Sequence, residues 1–312
     1  MKFVTLNTEQ KMPLVGLGTW KSEAGKVYQA IRWAIKLGYR HFDCAQIYDN
    51  QIEVGAALRD AINEDGIKRE ELFITSKIWN DAHLKDDVLP AINKILEELQ
   101  LDYLDLLLMH WPIAQKKGVN IPQSDDDVIS LENAPIEDTW KEMEKAQHQN
   151  LTKSIGVSNF GINRLSALVE KSEIIPAVNQ VESHPFLPQN ELITWCKQNN
   201  IVVTAYSPLG SNDRIYKANN EPNLLKNELI QNIAQKNNIS EAQVLLAWQI
   251  QRNVVVIPKS TNEKHLKDNL AAIMVTLDNK DIEDINNIGI NYRYIKADAF
   301  SFGEYTNDYI FS

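Results

Sequence analysis

The chain has 312 residues, 44% of them hydrophobic and 24% charged, and a formal net charge of −10. This composition supplies an ample core, while the acidity argues against a nucleic-acid partner, which needs a basic face. The start MKFVTLNTEQ lacks a signal-peptide core, no run of ~18 apolar residues suggests a membrane span, and the distant Cys44 and Cys196 form no disulfide framework or Cys-X-X-Cys motif.

Short apolar runs rich in branched residues alternate with amphipathic helical stretches, the pattern of parallel βα units. The opening residues 2–20 predict a small hairpin and a first strand at Val15–Gly18, followed by a helix that Gly38 closes. Strands are then expected at His41–Ala45, Glu71–Lys77 and Tyr103–His110, with a helix over Asp86–Gln100 before the last of these. Pro112–Pro135 interrupts the pattern as a long polar insertion carrying Asp125-Asp126-Asp127. Further strands are expected at Thr152–Ser158, Ala177–Gln180, Ile201–Ser207 and Val254–Ser260, with helices opened by Ser240 and Asn262 as caps. Asn291–Ser312 forms a tail with five aromatic residues after Tyr294. Insertion and tail read as pocket walls, since loops of this length are usually functional or disordered.

Eight strands in βα alternation favour a closed (β/α)₈ barrel over an open sheet. The absence of Gly-X-Gly-X-X-Gly after an early strand points the same way, and Gly16-Leu17-Gly18-Thr19 is a weak glycine cluster. The expected fold class is α/β: one (β/α)₈ barrel domain over 1–312, with an N-terminal hairpin, a long loop after strand four and a C-terminal tail over the active-site face. Polar residues recur at the strand ends: Asp43, Lys77, His110, Ser158, Asn159, Gln180, Tyr206, Ser207, Lys259 and Ser260. Barrel active sites form there because all strand ends converge on one mouth. Singly each has a bland explanation; the set carries the argument. His41, His83, His148 and His184 show no metal-ligand spacing, so no metal is assigned.

Gly38-Tyr39-Arg40-His41-Phe42-Asp43-Cys44-Ala45-Gln46-Ile47-Tyr48, followed by Glu53-Val54-Gly55, resembles the first signature of the aldo-keto reductases. SKIWN (76–80), LLLMHWP (106–112), IGVSNF (155–160), YSPLGS (206–211) and IPKS (257–260) match in the family's order over nearly the whole chain, most like its aldose- and aldehyde-reductase branch. The resemblance implies an NADPH-dependent reductase of aldehydes and ketones, open-chain sugars among them, with Asp43, Tyr48, Lys77 and His110 as catalytic residues. Carbonyl reduction needs hydride at carbon and a proton at oxygen. Tyr48 would be the proton donor, Lys77 would lower its pKa, Asp43 would hold Lys77, and His110 would orient the carbonyl. Trp20, Tyr48, Trp79, His110 and Trp111 would bind substrate in an apolar pocket with a polar floor.

The resemblance also implies a cofactor site. Tyr206 would stack on the nicotinamide, and Ser158, Asn159 and Gln180 would bond its carboxamide. Thr19, Trp20, Ser207, Leu209 and Ser211 would follow its path, with Lys21, Asp213 and Lys259 as a charged clasp. Ser260, Thr261, Asn262, His265, Asp268 and Asn269 would receive the adenosine end. The family usually has an arginine for the 2′-phosphate where this chain has His265, so NADPH is expected to be preferred by a reduced margin, with measurable NADH use. Two other readings stay open: a lyase or isomerase with Lys77 as Schiff-base former, and a cofactor-binding sensor or structural protein. A cytoplasmic monomer is the default, with a dimer as the alternative.

Overall fold

The computed structural model describes residues 2–214 and 217–312. Strands β1 (Phe3–Thr5) and β2 (Lys11–Pro13) form the antiparallel hairpin. Strands β3 (Leu17–Gly18), β4 (His41–Asp43), β5 (Phe73–Ile78), β6 (Leu106–Met109), β7 (Ile155–Ser158), β8 (Val178–Glu182), β9 (Val202–Tyr206) and β10 (Val255–Val256) lie parallel, each beside its sequence neighbour. The ring closes where Gly16 N donates to Val256 O (2.8 Å) and Val256 N donates to Leu14 O (2.9 Å). Close approach at this seam needs glycine: a Cβ on Gly18 would stand 2.7 Å from Ile257 O, and one on Gly16 would stand 2.5 Å from the His41 ring.

Helices α1 (Val27–Leu37), α2 (Gln51–Glu64), α3 (Lys85–Leu99), α4 (Ile136–His148), α5 (Ile162–Lys171) and α6 (Asn190–Gln198) connect successive strands. Then α7 (Glu228–Asn237) and α8 (Glu241–Gln251) precede β10, and α9 (Glu263–Ala271), α10 (Asn279–Asn286) and α11 (Asn307–Phe311) follow it. The punctuation follows the residues. Gly38 closes α1 in the left-handed conformation (φ 104°), donating its N–H back to the last turn. Ser240 opens α8 with a capping box completed by Gln243, and Asn262 caps α9. Apolar side chains of β5 to β8 such as Ile74, Leu107, Val157 and Val178 are fully buried in the main core. A satellite core joins α7, α8 and α10 to the tail through Ile230, Trp248, Ile285 and Tyr294.

The strand boundaries differ from expectation in two instructive places. β10 stops at Val256, two residues before Pro258, which has no N–H to extend a ladder. β8 runs past Gln180 to Glu182, pairing Glu182 with Tyr206. An acidic residue in a strand buried throughout is the more consequential difference.

His41 is buried near the closing seam, 3.2 Å from Pro13 O through Nδ1 and edge-on to Phe73. Burial pushes its pKa down to about 4, so the folded protein holds it neutral. In the unfolded chain histidine titrates near ~6.5. Its stabilising contribution is therefore complete above that value and is lost as pH falls through the window to about 4. Urea unfolding should show about 3 kcal/mol less of the pH 7 to pH 4 stability loss in His41→Gln than in the parent. An equal loss in both proteins would contradict this assignment.

Candidate active site

Asp43 ends β4, Lys77 lies on β5, and His110 follows β6; Tyr48 ends a single 3₁₀ turn, Gln46–Tyr48, that leaves β4. Parallel register sets these ends side by side, with Asp43 opposite Thr75 and Lys77 opposite Leu108. Lys77 is fully buried, and its Nζ donates to Asp43 Oδ1 (2.5 Å), Cys44 O (2.8 Å) and Tyr48 OH (3.4 Å). Gln180 Nε2 donates to the other Asp43 oxygen at 2.7 Å. The ammonium's three N–H groups and both carboxylate oxygens thus have partners, the condition under which a buried ion pair is tolerated. The His110 ring stands edge-on to Tyr48 (centroids 5.8 Å apart) and to Trp79 (5.1 Å).

The electrostatics correct one expectation. The net shift of Tyr48 runs against the expected one: burial, reinforced by the negative charge of Asp43, raises its pKa well above the ordinary phenol value. The lysine charge is shared with Asp43 at closer range than with the phenol, so it does not overcome desolvation. His110 moves the other way: burial, then the Lys77 charge, hold its pKa well below the ordinary imidazole value, so the ring is neutral at pH 7.

From this cluster a cavity of about 1020 Å³ extends along the ends of β7, β8 and β9 and out past β10. Ser158, Asn159, Gln180, Tyr206, Ser207, Leu209, Ser211, Asp213 and Lys259 all border it. Tyr206 OH donates to Asn159 Oδ1 (2.7 Å), and Asn159 Nδ2 donates to His110 O (3.0 Å), tying the two sections together. Lys21, Asn159 and Ser207 have left-handed backbones (φ 58°, 66° and 48°). Such strain in non-glycine residues tends to gather at functional rims. Lys21 Nζ lies 3.3 Å and Lys259 Nζ 3.7 Å from the Asp213 carboxylate, bridging the outer groove. Burial pushes the Asp213 carboxyl up, but Lys21 and Lys259 outweigh it and hold it below the ordinary value; burial lowers Lys21.

Beyond the clasp, the N-terminus of α9 forms a shelf. Ser260 and Asn269 are buried there, Thr261 and Asp268 are half-buried, and Asn262 and His265 are exposed. These six residues do not border the cavity, and neither does Thr19. It is fully buried, and its hydroxyl donates to Asp43 O at 2.9 Å, so it braces the end of β4 from off the groove wall.

The inner end of the cavity is aromatic and apolar: Trp20, Trp79, Trp111, Ile47, Ile121 and Phe300 enclose Tyr48 and His110. The long loop and the tail form this wall together. Trp79 Nε1 donates to Asn120 O (3.1 Å), Tyr305 OH to Ile129 O (2.7 Å), and Gly303 N to Asp125 Oδ1 (2.7 Å). One acid of the Asp125–Asp127 run therefore docks the tail. Sequence reasoning gave the tail no individual site residues, although Ile295, Lys296, Asp298, Ala299 and Phe300 line the cavity. It also passed over Arg214 and Glu221, a buried ion pair in the loop after β9. The aromatic content of the tail was the available signal; nothing local distinguishes Arg214 from a surface arginine. Among the described residues, no group of three histidine, cysteine or acidic side chains is placed to hold a metal.

Replacing Asp43 with Asn leaves a buried ammonium without its counter-charge, which typically costs about 3–5 kcal/mol. Urea titration of Asp43→Asn at pH 7 should show a loss of that size; a loss under about 1 kcal/mol, as for an exposed pair, would contradict the pairing.

Residues 14–290 match the profile of the Aldo/keto reductase family. An aldo/keto reductase of Synechocystis sp. is 47% identical over 303 residues, covering 96% of this chain and 93% of that protein. Aldo-keto reductase family 1 member A1 of Xenopus tropicalis is 47% identical over 297 residues (95% and 91% covered), and that of Homo sapiens 45% identical over 294 residues (94% and 90%). The solved aldose reductase of Schistosoma japonicum superposes with a TM-score of 0.89 at 37% identity, covering 96% of each chain.

Proposed function

The chain belongs to the aldo/keto reductase family, and from that premise we propose that it reduces aldehydes and ketones to alcohols with NADPH, using Tyr48 as the proton donor. The observation that carries this reading is the buried Lys77, bonded to both Asp43 and Tyr48 at the floor of an aromatic cavity that His110 also faces. The nicotinamide cofactor supplies hydride to the carbonyl carbon when bound. Neutral His110 holds the carbonyl oxygen by an N–H bond and orients the face that receives it. Tyr48 keeps its proton across the neutral range because its pKa is high. It gives that proton up when the oxygen gains charge and becomes a stronger base than phenolate. Lys77 stabilises the phenolate left behind, and Asp43, steadied by Gln180, keeps Lys77 in place.

The groove suits an extended dinucleotide. Its volume leaves room for a small substrate as well, and Lys21, Lys259 and Arg214 gather beside it in a chain of net charge −10. Tyr206 would stack on the nicotinamide, while Ser158, Asn159 and Gln180 would hold the carboxamide. Trp20, Ser207, Leu209 and Ser211 would follow the path to the pyrophosphate, under the Lys21–Asp213–Lys259 clasp. Ser260, Thr261, Asn262 and His265 would receive the 2′-phosphate, and Asp268 and Asn269 the adenosine. Trp20, Trp79 and Trp111 favour aromatic or medium-chain aldehydes, with open-chain sugars admitted. The bonds Lys77 makes to Asp43, Cys44 and Tyr48 leave no lone pair for a Schiff base. Buried free Cys44 and Cys196 suit a reducing compartment, and the reading is of a cytoplasmic protein acting as a monomer.

Tyr48→Phe should lose about 10²–10⁴-fold in kcat for aromatic-aldehyde reduction, the usual worth of general acid catalysis, while binding NADPH normally by fluorescence titration. Near-parental turnover would sink the mechanism. His265→Arg should lower KM for NADPH about tenfold, the effect of a forked charge-assisted phosphate contact, and leave KM for NADH unchanged. Parallel change for both cofactors would remove His265 from the phosphate shelf.

A further inference from the structure

Glu182 ends β8 two residues beyond Gln180, and so on the same face of the strand. It is fully buried, and its carboxylate has three partners. Tyr294 N donates to Oε1 at 2.6 Å, Ile295 N donates to Oε2 at 2.8 Å, and His184 Nε2 lies 2.8 Å from Oε1. Gln189 Nε2 donates to the Glu182 backbone oxygen at 3.1 Å, fixing the strand end. Burial alone would push this carboxyl up, but His184 and the two backbone N–H groups outweigh it and keep its pKa below the ordinary value. The tail is thus held at its root by a buried anion.

The held residues begin the substrate wall. Ile295 itself borders the cavity, and five residues on, Phe300 packs on Trp79 (centroids 5.8 Å apart) and Trp111 (5.2 Å). Tyr294 OH also donates to Pro222 O at 2.8 Å, so the root meets the loop that carries the clasp. Glu182 does not line the cavity and can act only through the backbone it grips.

We propose that Glu182 is the positioning residue for substrate selection: by gripping the N–H groups of Tyr294 and Ile295 it seats Ile295 and Phe300 against the tryptophans and so sets the affinity for bulky apolar aldehydes. This rests on the reductase reading above. Glutamate is required because two converging N–H donors and an imidazole need two acceptor oxygens. A glutamine offers one acceptor, and its amide N–H would face a donor. An aspartate would be one methylene short.

The test compares Glu182→Gln with the parent, using NADPH and two substrates, glyceraldehyde and a bulky aromatic aldehyde. KM for the aromatic aldehyde should rise about tenfold, the usual effect of losing a hydrogen bond to a charged group. NADPH affinity and glyceraldehyde kinetics should stay near parental. Phe300→Ala should raise the same KM, and the double variant should be no worse than the poorer single one, as expected of residues acting through one wall. An unchanged aromatic-aldehyde KM in Glu182→Gln, equal loss for both aldehydes together with NADPH affinity, or full additivity with Phe300→Ala would each overturn the proposal. Hydrogen exchange on the parent protein tests the anchor without a variant. The Tyr294 and Ile295 amides should exchange far more slowly than that of Lys296, and equal rates would overturn it. If the parent reduces neither aldehyde, the reductase reading fails, while the exchange pattern still judges the grip of Glu182.

Discussion

The buried pairing of Lys77 with Asp43 is the constraint around which the rest of the molecule is arranged. An ammonium placed inside a barrel must be matched by charge and by directed acceptors, or its desolvation would exceed what the fold can offset. Asp43 supplies the charge, Cys44 O the second acceptor and Tyr48 the third contact. These partners stand on β4 and the turn after it, while Gln180 reaches Asp43 from across the barrel on β8. Only a closed ring of parallel strands in sequential register brings such distant segments to one point. The chemistry and the architecture therefore meet in the same few bonds: the contacts that make the lysine tolerable are those that aim it at the phenol.

The barrel was legible in the sequence because each strand is a compact branched-apolar run and several helices carry their own punctuation, as Gly38, Ser240 and Asn262 do. The strand-end polar residues were legible as a set, since alternating βα units force strand ends to a common mouth. Three things were not. The direction of the Tyr48 shift depends on burial and on the nearby Asp43 charge, which no spacing reveals. Thr19 looks in sequence like any small hydroxyl beside a groove, and only the fold turns it onto Asp43 O. Glu182 lies two residues beyond the strand end expected at Gln180. Two of its three partners lie more than a hundred residues away, on backbone N–H groups that carry no sequence signature.

The inner wall also shows how an irregular segment is made definite. Neither the 112–135 loop nor the tail has much regular structure of its own, yet each supplies hydrogen-bond partners for the other. Asp125 receives Gly303 N, Glu304 receives Leu131 N, and Ile129 O receives the Tyr305 hydroxyl. Aromatic packing of Phe300 on Trp79 and Trp111 then fixes the shared face toward the cavity. Shape at the mouth is thus a property of two segments jointly, and residues on one will be coupled to residues on the other.

The seam at Gly16 and Gly18 has a consequence for biogenesis. The first barrel strand finds its second neighbour only at Val256 and Lys259, some 240 residues later. A nascent chain emerging in order can pair β3 with β4 and continue round, but the outer edge of β3 stays unpaired until the last strand leaves the ribosome. Such an edge is a template for association with other chains. Completion of the ring, the slow long-range step, ends that exposure and, through Lys259 beside the same seam, completes the clasp over the groove.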